Sequence, residues 1–316
     1  MLQPHQVEHG AEKAADHAAE AFNAGETIIG HVANSSLDHP LIHLPTIAGI
    51  DFSVTKHVFM LWLVAAVVFF LVTWTVRRYL AVEKQQPVPR GFGNALEAVV
   101  EFIRDAIALP NVGQKWVRTW TPLLLTLFVF IFTANLVGLI PAFDVLALVN
   151  HTVLHLPEDA FLTKLTHGGV TATGNFNVTA GLATVTFFAI IIAGVRAHGF
   201  VQHWKNLVPH GLPIPIYFLL IPIEIMGMFV RPFALTMRLA ANMTGGHIAI
   251  LAILSFVFIF AELFGNAVAG VGVGVLLSLP LAVGISALEI IVILVQAYVF
   301  TLLTAVFIGM AIHAHH

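Results

Sequence analysis

Two apolar tracts near the end of this chain carry residues that ordinary membrane or core helices avoid. The stretch RPFALTMRLAANMTGGH (231–247) holds Arg231, Arg238, Asn242 and His247, Glu224 precedes it, and Glu289 and Gln296 lie in the next tract. Arg238 sits about 22 residues from either end of its tract. A charge there costs roughly 3 to 10 kcal/mol, depending on how much water reaches it. A guanidinium cannot escape that cost by losing its proton, since its pKa exceeds about 12. Arg238 therefore needs an anionic partner or water.

Helical spacing of about 100° per residue puts Glu224, Arg231, Arg238 and Asn242 within roughly 40° of one line. His247, nine residues beyond Arg238, turns to the opposite side. Glu289 and Gln296 are seven apart and share a face. In a hairpin of the two tracts, Glu289 would lie at a depth where it meets His247, and a carboxylate beside an imidazole in a wet cavity exchanges protons near neutral pH. A lone Asn242 or Gln296 is well explained as a packing hydrogen bond between helices. Four ionisable groups together are better explained by passage of protons or ions. Arg231 can snorkel towards an interface.

The elements that must hold these residues are membrane helices. The chain of 316 residues is 58% hydrophobic and 10% charged, with a mean hydropathy of +0.91, which places it outside the balance of soluble domains. Spans are expected over 58–76, 119–140 and 178–195, each long enough for a hydrocarbon core of roughly 30 Å. Arg77 and Arg78 bound the first, Pro141 the second and Arg196 the third. Residues 142–177 form a mixed polar connection. The last two tracts, 216–260 and 271–312, are separated by AELFGNAVAG. At 40 to 45 residues each they would measure about 60 to 65 Å as helix, so they must tilt, bend or lie partly along the membrane, with Pro222, Pro232 and Pro280 as places to bend. The expected fold is all-α and polytopic, with about five crossing helices, the last two forming a long, steeply tilted helical hairpin. One further helix is expected in GFGNALEAVVEFIRDAIALPNVG. There Leu96, Val99, Val100, Ile103, Ile107 and Leu109 share a face opposite Glu97, Glu101, Arg104 and Asp105, as in a helix on the membrane surface or one packed within a loop.

Charge distribution orients the chain. Between the first and second spans lie Arg77, Arg78, Lys84, Arg90, Arg104, Lys115 and Arg118, and after the third come Arg196 and Lys205. The positive-inside rule puts these in the cytoplasm, with the N-terminus outside alongside Lys13, Lys56 and Lys164. Five crossings return the C-terminus to the cytoplasm. A net charge of -3 is too balanced to suggest nucleic acid, and the absence of cysteine excludes disulfides and thiolate chemistry. Residues 1–50 form a polar, His-rich extension before a membrane domain of 51–316. Its His5, His9, His17, His31, His39 and His43 match no metal-ligand spacing and read better as part of a solvated acidic tail. The closing HAHH is an equally weak metal signal, so no metal site and no cofactor are expected. The extension lacks the basic start and apolar core of a signal peptide and is expected to be retained.

Three segments, MRLAANMTGGH (237–247), ANLVGLIP (134–141) and LEIIVILVQAYVF (288–300), make this chain resemble subunit a of the rotary F-type ATP synthase, over about residues 50–312. The arginine-leucine-x-x-asparagine-methionine core is the most specific part. By that resemblance Arg238 matches the family's essential stator arginine, Asn242 and Gln296 the polar residues near it, Glu224 an acid towards the cytoplasmic side, and Arg231 a basic residue before proline. Some bacterial members carry an acid at the position of His247 and a histidine at that of Glu289, so the pair is kept here with its order reversed. Ala240 replaces a residue that is commonly phenylalanine. The resemblance implies a non-catalytic stator subunit in the bacterial plasma membrane. It would provide two half-channels, with 216–312 as the ion-channel hairpin, beside a c-subunit ring, b-type peripheral stalk subunits, the lipid bilayer and, indirectly, the F1 catalytic head. The alternative is a proton-coupled secondary transporter, which would show repeats with broken helices in both halves. Here the polar set is confined to the last third and no repeat is visible.

Overall fold

The computed structural model describes residues 53–82, 91–140, 172–206, 214–265 and 267–313, together with Gly25, Ile28, Ile29, Pro40, Leu41, Ile42, Leu44, Pro45, Asn150, Pro157 and Thr163. Most of the His-rich extension, the closing HAHH beyond His313, and Lys13, Lys84, Arg90 and Lys164 lie outside the described residues. The described elements are helices, and the one extended pairing among them is an isolated antiparallel bridge between Ile42 and Val54. The fold is all-α and polytopic. Five of the described helices are long and apolar enough to cross a membrane.

Helix α1 spans Lys56–Val82. It continues past Arg77 and Arg78, because arginine is a good helix former; what stops at Arg77 is the apolar run, not the helix. Helix α2 (Phe92–Glu101) leads into wide π-type turns over Phe102–Ala108 and then the short α3 (Leu109–Val112). Pro110 lies in α3, and proline removes an N–H and crowds the carbonyl four residues back. Wide turns just before it relieve both problems. The expected amphipathic face is present: Ile103, Ile107 and Ala108 are buried, while Glu97, Glu101, Arg104 and Asp105 are exposed. That face joins a core with Leu124, Phe128, Leu239 and Phe300, so α2 and its π turns form a packed protein helix. Arg104 and Asp105 pair bidentately, both bonds 2.7 Å, and the guanidinium holds the Asp105 carboxyl below the usual carboxylate range.

Helix α4 spans Val117–Leu139 and α5 spans Phe176–His198, the latter capped by the Asn175 side chain accepting from Asn177 N at 2.8 Å. A short α6 (Phe200–Lys205) follows, packing a buried His203 against Gly194. Burial and the neighbouring His198 push the His203 imidazole below its ordinary pKa. Helices α7 (Ile214–Leu263) and α8 (Ala267–Ile312) have 50 and 46 residues. At 1.5 Å per residue, each exceeds twice the hydrocarbon thickness of roughly 30 Å. Most of the segment AELFGNAVAG, which separates the two apolar tracts, is helical. Ala261, Glu262 and Leu263 extend α7, and the helix stops where Gly265 takes a φ of 58°, the left-handed terminator that glycine adopts without strain.

By contacts the chain divides into two compact units. One includes 246–287, which holds the turn between α7 and α8. There Gly274 lies so close to α7 that a Cβ would stand 2.6 Å from the Val257 Cα. The other unit, 34–245 with 288–316, holds the helical core around α4, where α5 and α8 are joined by a buried Thr186···Thr304 hydrogen bond of 3.3 Å. In it α7 and α8 run antiparallel, as the contacts Asn242 to Gln296 and Arg231 to Phe307 require.

Gly309 sets how closely α8 approaches the end of α3, because a Cβ there would run into the Asn111 carbonyl. We expect Gly309→Val to destabilise the folded chain by about 1 to 3 kcal/mol through overpacking. A thermal melt of the purified complex would register this as a lowered transition. Gly284→Ala, in open space, should leave the transition in place, and equal behaviour of the two variants would refute the close-approach argument.

Candidate functional site

In the larger unit, Asn135, Leu239, Asn242, Met243, Glu289, Val292, Ile293 and Gln296 line a narrow crevice with room for about one water molecule. Three helices build it. Helix α7 supplies Leu239, Asn242 and Met243 on adjacent turns, α8 supplies Glu289, Ile293 and Gln296 at heptad-like spacing, and α4 supplies Asn135. The Asn242 Nδ2 donates to the Gln296 Oε1 at 2.9 Å, so Asn242 links α7 to α8. Glu289, Gln296 and Asn135 are buried, at 5%, 5% and 1% exposure. The Gln296 Nε2 and the Asn135 Oδ1 have no hydrogen-bond partner among the described residues. A buried donor and a buried acceptor on one small crevice form the kind of polar setting that a single bridging water satisfies.

Arg238 lies outside the crevice, on the exposed side of α7. Its guanidinium makes no hydrogen bond or ion pair among the described residues. Around it at helical spacing lie Ala234, Ala241, Asn242 and Gly245, all exposed. An unpaired charge flanked by small side chains leaves room for another helix to approach closely. Within this chain, nothing described neutralises it.

The remaining expected residues fall in different surroundings. Arg231 is half-buried, with its guanidinium 5.5 Å from the centroid of the Phe307 ring, a cation–π seating that uses α8 as a wall. Glu224 is half-buried one stripe-repeat earlier on α7, without a hydrogen bond or ion pair among the described residues. His247, also half-buried, belongs to the smaller unit, whereas Glu289 belongs to the larger. The structure thus brings Asn242, Gln296 and Glu289 to one crevice and leaves Arg238 facing outwards on the same stretch of α7.

Asn135 was not among the expected site residues. Its segment ANLVGLIP drew notice only as part of a resemblance, yet an asparagine in the middle of the apolar run IFTANLVGLI is itself a signal. An amide there must find a polar partner, because leaving one unsatisfied in an apolar setting costs on the order of 1 to 3 kcal/mol.

Comparison with known proteins places this geometry in a family setting. Residues 58–309 match the family model described as ATP synthase A chain. The chain is 38% identical over 299 residues to a protein of Chlorobium luteolum named ATP synthase subunit a 2, covering 92% of this chain and 77% of that one. It is 36% identical over 304 residues to ATP synthase subunit a of Pelodictyon phaeoclathratiforme, covering 94% and 78%. It is also 38% identical over 315 residues to ATP synthase subunit a of Chlorobium phaeobacteroides, covering 98% and 80%.

Proposed function

The chain belongs to the ATP synthase A chain family, and from that premise we propose that it is the membrane stator subunit through which protons reach and leave the rotor of an F-type ATP synthase. The observation that carries this reading is Arg238, an exposed guanidinium with no anionic partner among the described residues. A charge so placed calls for an acid on another chain. A ring of c subunits, each presenting one membrane carboxylate, supplies such an acid repeatedly.

In this mechanism protons enter from the outer side past His247 and Glu289, cross the hydrated crevice beside Asn242, Gln296 and Asn135, and neutralise a ring carboxylate. The neutral carboxyl then travels through lipid for almost a full turn. On its return Arg238 favours the ionised form, so the proton leaves towards the cytoplasm past Glu224. The fixed positive charge also repels protons between the two half-channels, which keeps 216–312 a channel that conducts only through rotor motion. A proton crossing about 100 mV delivers roughly 2.3 kcal/mol, and a direct leak would dissipate it. Arg231 supports the arrangement by tying α7 to Phe307. The subunit itself catalyses no reaction. Its N-terminus lies outside and its C-terminus in the cytoplasm, and b-type stalk subunits hold it against the F1 head.

A cross-linking experiment tests the reading. The chain contains no cysteine, so a single Ala241→Cys, one turn from Arg238, reports on its neighbours alone. With a cysteine introduced beside the ring carboxylate, mild oxidation of the native complex should give a disulfide-linked product of this chain and a c subunit. Absence of that product, with cross-links to another subunit instead, would refute the stator assignment.

A further inference from the structure

Helix α1 carries a second charged feature that the proton path does not use. Phe69, Phe70, Thr73, Trp74, Arg77 and Arg78 line an open hollow of about 520 Å3 along one side of the helix. Phe69, Phe70 and Trp74 are 64%, 69% and 60% exposed. The Arg78 guanidinium lies 5.6 Å over the Trp74 ring, and neither arginine makes an ion pair among the described residues. The order along the helix is specific: aromatic rings within the apolar span, a tryptophan at its edge, and then two permanent charges at the border.

We propose that this face of α1 binds an anionic phospholipid. Its acyl chains lie along Phe69 and Phe70, the glycerol region rests on the edge of Trp74, and its phosphate accepts from Arg77 and Arg78. Charge complementarity selects this occupant. Arginine meets phosphate through a planar fork of donors, and tryptophan and arginine favour the depth at which headgroups sit. A neutral lipid fills the aromatic part equally well but gains less from the two arginines. At about 1 kcal/mol per basic residue near an anionic membrane surface, two arginines give roughly a thirtyfold preference for the anionic lipid.

The test uses the intact complex in vesicles of phosphatidylcholine containing a trace of photoactivatable phosphatidylglycerol or, separately, photoactivatable phosphatidylcholine. After irradiation, the lipid attached to the peptide containing residues 69–78 is quantified by mass spectrometry. The expected result is strong labelling by the phosphatidylglycerol probe and roughly thirtyfold less by the phosphatidylcholine probe. The preference should collapse in Arg77→Gln/Arg78→Gln and largely survive in Arg77→Lys/Arg78→Lys, which shows that a folded, charged helix suffices. Excess inorganic phosphate should not compete; if it does, the site takes a free anion and the lipid assignment fails. Equal labelling by both probes would reduce the face to ordinary lipid contact. No lipid labelling, with the same peptide cross-linking to a stalk subunit, would make the face a protein interface and also overturn the proposal.

Discussion

Replacing Arg238 with alanine is expected to abolish ATP synthesis driven by an imposed proton gradient. The arginine is exposed and without a hydrogen bond or ion pair among the described residues, so its removal leaves no buried partner unsatisfied and should not unfold the chain. What is lost is its attraction for an acid on the rotor. At about 4 Å and an effective dielectric near 20, that attraction is on the order of 4 kcal/mol, equivalent to roughly a thousandfold in the equilibrium that releases the proton. Arg238→Lys should fail nearly as badly, since a lysine lacks the planar fork and can lose its charge when desolvated. Vesicles containing the assembled complex, given an acid-to-base jump with a potassium diffusion potential, would measure synthesis, and a pH-sensitive dye would follow proton leak in the same preparation. The alanine variant should show no synthesis and a raised passive leak. Normal coupled synthesis in that variant would sink the mechanism.

Neutralising Glu289 is the second large effect. Glu289→Gln keeps the volume of a side chain that is only 5% exposed, so the crevice with Asn242, Gln296 and Asn135 should keep its shape while losing its titratable group. Proton transfer by a positioned side chain contributes about a hundredfold or more, and proton-driven synthesis should fall by that order. Glu289→Asp, which still titrates, should retain more activity than the glutamine variant. His247→Gln probes the other expected member of the pair, in the smaller unit. If proton flux stayed unchanged in both Glu289→Gln and His247→Gln, neither residue would be handling the proton.

These expectations rest on features of different legibility. The spans could be read directly, because an apolar run of about twenty residues and the need to satisfy every backbone amide inside lipid leave helix as the only choice. Their ends were read less well. The apolar pattern stops at Arg77, but α1 runs to Val82, and the stretch AELFGNAVAG that separates the last two tracts lies mostly within α7 and α8, since hydropathy reports the environment of a residue and not its backbone conformation. The amphipathic face of α2 was legible, but its π turns were not. Periodicity assumes about 3.6 residues per turn, and seven residues of wider winding at Phe102–Ala108 are too few to break the pattern visibly.

Composition and spacing by themselves determined that this is an all-α membrane protein, that Arg238 is a charge needing an anionic partner or water, and that Asn242 shares its side of α7. Those are one-helix properties, fixed by hydropathy and a constant angle per residue. Only the tertiary structure decided which groups meet across helices. It joined Asn242 to Gln296, added Asn135 from α4 to their crevice, seated Arg231 over Phe307, and left Arg238 exposed while burying Glu289. The physical reason is that the register between helices is set by close contacts distant in sequence, such as Gly309 against Asn111, and no local period encodes where two such surfaces will interlock.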